Sequence, residues 1–225
     1  SSMSGAEVYL KLENLQGTGS FKLRGATFKI QSHLSDIGPK GVVAASAGNH
    51  AQGVALAAKR AGLPATIVMP ELASITKQEA TKGYGGNVLL EGQNIGDSIS
   101  KACELAQTGM TFVHPYDDPE IITGQGTIGL EIFEDIPETD MIFVPIGGGG
   151  LISGIACAAK AVRPKVRIIG VQTEACPGAY RARVHGGPIR VDAEKSIADG
   201  IAVKQVGSLT FPIIQEKVDE IVLVK

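Results

Sequence analysis

The sequence predicts an α/β protein with doubly wound parallel sheet, and three observations carry the prediction. Strand-length apolar runs alternate with helix-length segments from residue 41 to the last run at 222–224, the pattern of successive βα units whose crossovers stack helices on a parallel sheet. The run Gly41, Val42, Val43, Ala44, Ala45 is apolar at every position, as a strand buried on both faces should be. Two glycine-punctuated turns, at residues 17–25 and 147–150, each join a strand pattern to a helix pattern, which is where open α/β sheets receive ligands.

In chain order, Val8, Leu10 and Leu12 alternate with Tyr9, Lys11 and Glu13, which predicts a strand over 8–13. The strand leads into the turn that holds Lys22, and the helix after it is expected to reach about residue 33, before Gly38 and Pro39 break it. After the strand at 41–45 the pattern predicts a helix over 50–61, closed by Gly62 and Pro64, and a strand over 65–69. A helix from the capping Ser74 to about 82, a strand over 88–90, a helix over 95–107 and a strand over 112–113 follow. Pro119 suits the first position of a helix that reaches about 133. Strands over 141–145 and 166–171 flank a helix over 151–161. Pro177, Gly186, Gly187 and Pro188 interrupt residues 176–195, which are expected to be a surface excursion.

Composition narrows the function classes. A chain of 225 residues, 44% hydrophobic, can bury about 70% of the surface its unfolded form exposes. With 20% charged residues and a net charge of −2 there is no polyelectrolyte surface, so neither nucleic acid nor an anionic membrane is an expected partner. No apolar run approaches the roughly 20 residues that span a bilayer. Cys103, Cys157 and Cys176 are scattered without metal-ligand spacing and read as reduced thiols of a cytoplasmic protein, with no metal site expected.

Three stretches carry chemistry. Lys22 stands at a helix start, where the macrodipole disfavours an ammonium and favours the free amine, a placement that suits a Schiff-base lysine; an ordinary solvated lysine is the alternative. Gly147, Gly148, Gly149 and Gly150 leave a strand and enter a helix, so their amides can converge on an anion with no Cβ in the way. A dinucleotide fingerprint fails there because Ile152 and Ser153 fall where its third glycine belongs, and a nucleoside-triphosphate loop fails because Ile155 and Ala156 follow Gly154. A tight structural turn stays open until Lys22 is set beside the loop. Ser46, Ala47, Gly48, Asn49 and His50 lie between a buried strand and a helix, where free amides favour a carboxylate such as that of an amino acid. Asn49 can equally be a left-handed turn residue, His50 a satisfied helix-start histidine, and Phe21 plain core.

The motif Gly19, Ser20, Phe21, Lys22, Leu23, Arg24, Gly25, Ala26, taken with residues 46–53 and with 147–151, resembles the threonine/serine dehydratase branch of the fold-type II pyridoxal-phosphate enzymes. Residues 124–127 and 197–200 match as well, so the resemblance runs from about residue 5 to the last. It implies two doubly wound parallel-sheet domains of the tryptophan synthase β-like architecture. Residues 38–117 would be the small, substrate-binding domain; 1–37 and 118–225 would be the large, cofactor-binding one. It implies pyridoxal 5'-phosphate on Lys22, with Phe21 near the ring, Asn49 at the phenolic oxygen, Gly147, Gly148, Gly149, Gly150 and Leu151 at the phosphate, and Gly200 close to the pyridine.

By the same resemblance, residues 46–50 grip the carboxylate of an amino-acid substrate, and the reaction is elimination of water from L-threonine or L-serine to give a 2-oxo acid and ammonia. Serine racemase is the second reading, but racemases of this family carry a serine where this chain has Ala47, and inversion needs a proton donor opposite Lys22. A catalytically incomplete small-molecule-binding fragment is the third. The family adds a homodimer or homotetramer. It also has large-domain strands beyond those read here, so the expectation is an architecture truncated at both ends.

Overall fold

A computed structural model describes residues 4–225. Helix α1 (Lys22–Ser32) precedes a first winding unit made of β1 (Val42–Ala45), α2 (Asn49–Arg60), β2 (Ala65–Met69), α3 (Ile75–Gly83), β3 (Asn87–Leu90), α4 (Ile95–Gln107) and β4 (Thr111–Phe112). Its four strands are parallel and stand in the order β3-β2-β1-β4. Helix α5 (Pro119–Asp135) leads to a second unit of β5 (Met141–Pro145), α6 (Gly150–Val162), β6 (Arg167–Thr173), α7 (Gly178–His185), α8 (Thr210–Lys217) and β7 (Glu220–Val224). There the parallel order is β5-β6-β7. The chain is therefore α/β with two parallel sheets, as the alternation of patterns implied.

All four residues of β1 are buried because each face of the first sheet is covered. Val42 and Ala44 pack with Leu23 and Ala26 of α1 and with Ala51, Val54 and Ala58 of α2. Val43 and Ala45, pointing the other way, pack with Val68 and with Ala102 of α4. The chain leaves β1 toward β2 on one side and returns through β4 on the other, so a crevice opens outside the carboxyl ends of β1 and β4. In the second sheet Ile142 and Val144 point into a core with Ile152, Ile155 and Ala156 of α6, while Phe143, on the opposite face, is 62% exposed.

Helices α5 and α6 pack backbone to backbone. A Cβ on Gly126 would lie 2.9 Å from the Gly154 carbonyl oxygen, and one on Gly154 would strike the Ile122 carbonyl. Only glycine permits that approach. Helix ends are capped where the sequence supplies a short acceptor: Asp118 Oδ1 accepts from the amides of Glu120 (2.9 Å) and Ile121 (3.1 Å), and Asn94 forms a capping box with Asp97. Ser74 takes the N-cap position of α3 without a side-chain cap bond.

Three stretches depart from the sequence reading. Residues 8–12 lie in no ladder; Val8, Leu10 and Leu12 are 53%, 78% and 52% exposed, and Glu13–Leu15 is a 3-10 turn. Period-two alternation marks a strand only when one face is buried, and here neither is. Within 176–195 stands α7, whose burial rests on Ala179 and Ala182 and whose first amides, those of Ala179 and Tyr180, donate to Gln172 Oε1 at 3.0 and 3.1 Å. Two alanines make a faint apolar stripe, and the capping side chain is borrowed from β6. Helix α8 drew no sequence prediction; its Pro212 falls in the first turn, where no amide is needed.

Candidate active site

Lys22 is the first residue of α1. Helix α2 packs directly on its backbone, since a Cβ on Gly53 would lie 3.0 Å from the Lys22 carbonyl carbon. The amine is buried, 5.3 Å from the centroid of the Phe21 ring, and donates to the Pro115 carbonyl at 2.6 Å. Burial strips water from the ammonium and pushes its pKa down to about 8. Desolvation is thus a cause that the sequence, which pointed only to the helix dipole, did not reveal.

The loop at 147–150 connects β5 to α6. Gly149 sits in the left-handed region at φ +99°, and among the described residues the amides of Gly147, Gly148 and Gly149 have no hydrogen-bond acceptor. Tyr116 fixes how close the loop lies: a Cβ on Gly148 would run into the Tyr116 ring, and one on Gly150 would come 2.8 Å from the Tyr116 carbonyl oxygen. One cavity is lined by Phe21, Lys22, Gly147, Gly148, Gly149, Gly150, Leu151 and Gly200. Eight of the residues singled out from sequence for the cofactor thus converge, and Asn49 does not join them.

Six lining residues had no site role in the sequence reading: Pro115, Tyr116, Gln125, Pro145, Ile201 and Val203. Gln125, 1% exposed, ties α5 to α1 by accepting from the Gly25 amide at 3.3 Å. Its signal was the motif at 124–127, noted there without a role. Pro115 and Tyr116 act through a backbone carbonyl and a packing face, neither of which has a sequence signature.

Residues 46–50 stand at the crevice beside the segment after β4, but none of them lines the cavity. Ser46 Oγ accepts from the Gly48 amide at 3.1 Å, and Gly48 is the N-cap residue of α2. Asn49 is exposed and lies outside the left-handed region, so the turn alternative fails for it. His50 is satisfied: it is 4% exposed and its Nε2 is 2.9 Å from the Val113 carbonyl oxygen, a bond that joins the two loops of the crevice. Burial first, then the charge of Lys22, pushes its pKa down to about 3 despite the Val113 bond. The imidazole is neutral and serves as that bond's donor. Ala47 packs its methyl against the core shared by α1 and α2.

Known proteins place the chain in a family. The sequence profile described as "Pyridoxal-phosphate dependent enzyme" matches residues 1–225. An L-threonine ammonia-lyase of Thermotoga maritima is 53% identical over 226 residues, covering 100% of this chain and 56% of its own length. The processed form of threonine deaminase isoform 2 from Solanum lycopersicum superposes with a TM-score of 0.92 at 41% identity, over 96% of this chain and 60% of the other. Maize serine racemase superposes at 0.95 with 39% identity, over 99% and 68%. The chain thus spans little more than half the length of the first relative. The donor set fits the cofactor of these proteins: unspent amides on one wall of the cavity for a phosphate, a buried amine of lowered pKa for an aldehyde. Thr18 Oγ1 and Ser20 Oγ, buried in the turn before α1, add polar atoms with no hydrogen-bond partner among the described residues.

Proposed function

Because the chain belongs to the pyridoxal-phosphate dependent enzyme family, we propose that it is the core of an ammonia-lyase converting L-threonine or L-serine to a 2-oxo acid and ammonia. The observation that carries the reading is the meeting of the buried Lys22 amine and the free amides of residues 147–149 in one cavity. The 53% identity to a protein named L-threonine ammonia-lyase supports the choice within the family. Phe21, Lys22, Gly147 to Gly150, Leu151 and Gly200 would hold the cofactor, which when bound supplies an electron sink for charge at the substrate's α-carbon.

The protein's part is proton handling and orientation. With a pKa of about 8, Lys22 Nζ keeps a usable neutral fraction near pH 7 and takes the α-proton. The Pro115 carbonyl, 2.6 Å away, directs one N–H so that the lone pair faces elsewhere. Within residues 46–50 the amides of Ser46 and Gly48 are spent on Val68 O and Ser46 Oγ, and those of Ala47, Asn49 and His50, at the start of α2, bind the substrate carboxylate. In this reading residues 38–117 form the smaller, substrate-binding domain and 1–37 with 118–225 the larger one, in a cytoplasmic homodimer or homotetramer. Among the described residues no helix is long and apolar enough to cross a membrane.

Serine racemase is the second reading, favoured by the fit to the maize enzyme. Ala47 weighs against it, since a methyl group donates no proton to the face opposite Lys22. Supplying L-serine and L-threonine to the intact protein, with 2-oxo acid and D-serine both followed, decides between them. Elimination should dominate, with racemisation gained on Ala47→Ser; D-serine as the main product of the unmodified protein overturns the lyase assignment.

A further inference from the structure

Behind the residues that would touch the cofactor, the structure assigns a positioning role to Asp117 and Thr210, which hold the 147–150 loop in its anion-accepting shape. The inference rests on the proposed phosphate reading of that loop.

Asp117 lies in the segment crossing from β4 to α5, yet its carboxylate is spent on the start of α8. Oδ2 accepts from the Ser208 amide at 2.9 Å and the Ser208 hydroxyl at 3.0 Å; Oδ1 accepts from the amides of Leu209 at 2.9 Å and Thr210 at 3.1 Å. Helix α8 has no side-chain cap of its own, so Asp117 caps it from a distant part of the chain, where an anion is favoured. The fit is close: a Cβ on Gly207 would strike the Asp117 carboxylate.

The cap sets Thr210, which is fully buried. Its hydroxyl donates to the Gly148 carbonyl at 2.8 Å and accepts from the Gly207 amide at 2.9 Å, and that amide also reaches Gly148 O at 3.2 Å. Two donors therefore hold one carbonyl. In a trans peptide the C=O and the following N–H point in opposite directions, so drawing Gly148 O toward α8 turns the Gly149 N–H away from α8, toward the cavity. Gly149 is matched to this contact, because a Cβ there would lie 2.7 Å from Thr210 Oγ1. Glycine peptides rotate easily. Without the hydroxyl, the Gly148–Gly149 peptide can turn its carbonyl toward a bound phosphate and repel it. Two residues before Asp117, the Pro115 carbonyl receives Lys22, so one crossing segment braces both halves of the site.

The test compares two probes on the cofactor-free intact protein: pyridoxal phosphate, and pyridoxal, which lacks the phosphate. Dissociation constants are measured calorimetrically for the unmodified protein, Thr210→Val, Thr210→Ser and Asp117→Asn, with folding checked by circular dichroism. The preference for the phosphorylated probe should fall about ten-fold or more in Thr210→Val and Asp117→Asn, with pyridoxal affinity unchanged, and should be kept in Thr210→Ser. Equal weakening of both probes, or an unchanged preference in Thr210→Val, overturns the positioning role. If Asp117→Asn does not fold, the valine and serine pair decides alone. An unmodified protein with no preference between the probes would instead remove the phosphate reading of the loop.

Discussion

Lys22 and Pro115, 93 positions apart in sequence, meet through a 2.6 Å hydrogen bond from the lysine amine to the proline carbonyl. The bond ties the first residue of α1 to the segment where the chain passes from one sheet to the other. Its acceptor is neutral. Because no carboxylate offsets the burial of the amine, desolvation acts on Lys22 unopposed and lowers its pKa to about 8. The arrangement gives up ammonium stability and gains an amine ready to react.

That trade predicts a pH signature. The folded pKa of about 8 lies below the ordinary 10.5, so between those values the unfolded chain binds more protons and stability rises with pH. Below pH 8 the full penalty applies. In the cofactor-free protein, Lys22→Met should therefore be more stable at pH 7 by about 3 kcal/mol, a gain that fades toward pH 10.5. Urea denaturation at pH 7 and pH 10 measures it, and a methionine variant no more stable than the parent at pH 7 would contradict the buried, uncompensated amine.

His50 predicts the behaviour in acid. Its folded pKa of about 3 stands below the ordinary 6.5, so the neutral imidazole contributes stability that is complete above pH 6.5 and lost as pH falls toward 3. Between pH 6.5 and 5 the loss should reach about 2 kcal/mol. Glu120 and Glu131, each held near 2 against an ordinary 4.5, act mainly at lower pH. His50→Gln can still donate to the Val113 carbonyl, and its stability should be flatter over that interval. An identical slope in parent and variant would show that another group carries it.

Arg24 joins three segments. Its guanidinium forks onto Glu13 at 2.9 and 2.9 Å and onto Glu131 at 2.6 and 2.7 Å, with Thr127 Oγ1 at 3.0 Å. The Arg24 side chain is 13% exposed, so removing it strands Glu13 and leaves Glu131 with the Lys11 amine at 2.8 Å. Arg24→Ala should cost about 3 kcal/mol near pH 7 and Arg24→Lys less, since a point charge cannot fork. The hydrogen bond from Arg24, with a smaller contribution from Lys11, holds the Glu131 carboxyl near 2, which is stability present above pH 4.5 and lost as pH falls through 2. The alanine deficit should accordingly shrink in acid, and denaturation at pH 7 and pH 3 tests both parts.

Where local physics dominates, the sequence was legible. The helix start at Lys22, the strands at 65–69 and 141–145 and the helix at 95–107 rest on apolar period and short capping residues within a few positions, and each stands within a residue or two of its expected bounds. The strand expected at 8–13 failed because alternation says nothing about what covers it, and α7 went unseen because its cap, Gln172, belongs to another strand.

The sequence alone determined the α/β class, the family of the chain and the place of Lys22 and the glycine loop, because each is written in contiguous residues. Only the tertiary structure decided the rest. It set the protonation of Lys22, since desolvation depends on what packs over an amine. It gave the buried His50 side chain its partner, the Val113 carbonyl. It brought Pro115, Tyr116 and Gln125 to the cavity, and it placed Asp117 on α8 and Thr210 on Gly148. These are contacts between residues tens of positions apart, and their energies exist only once the chain has closed the loops that join them.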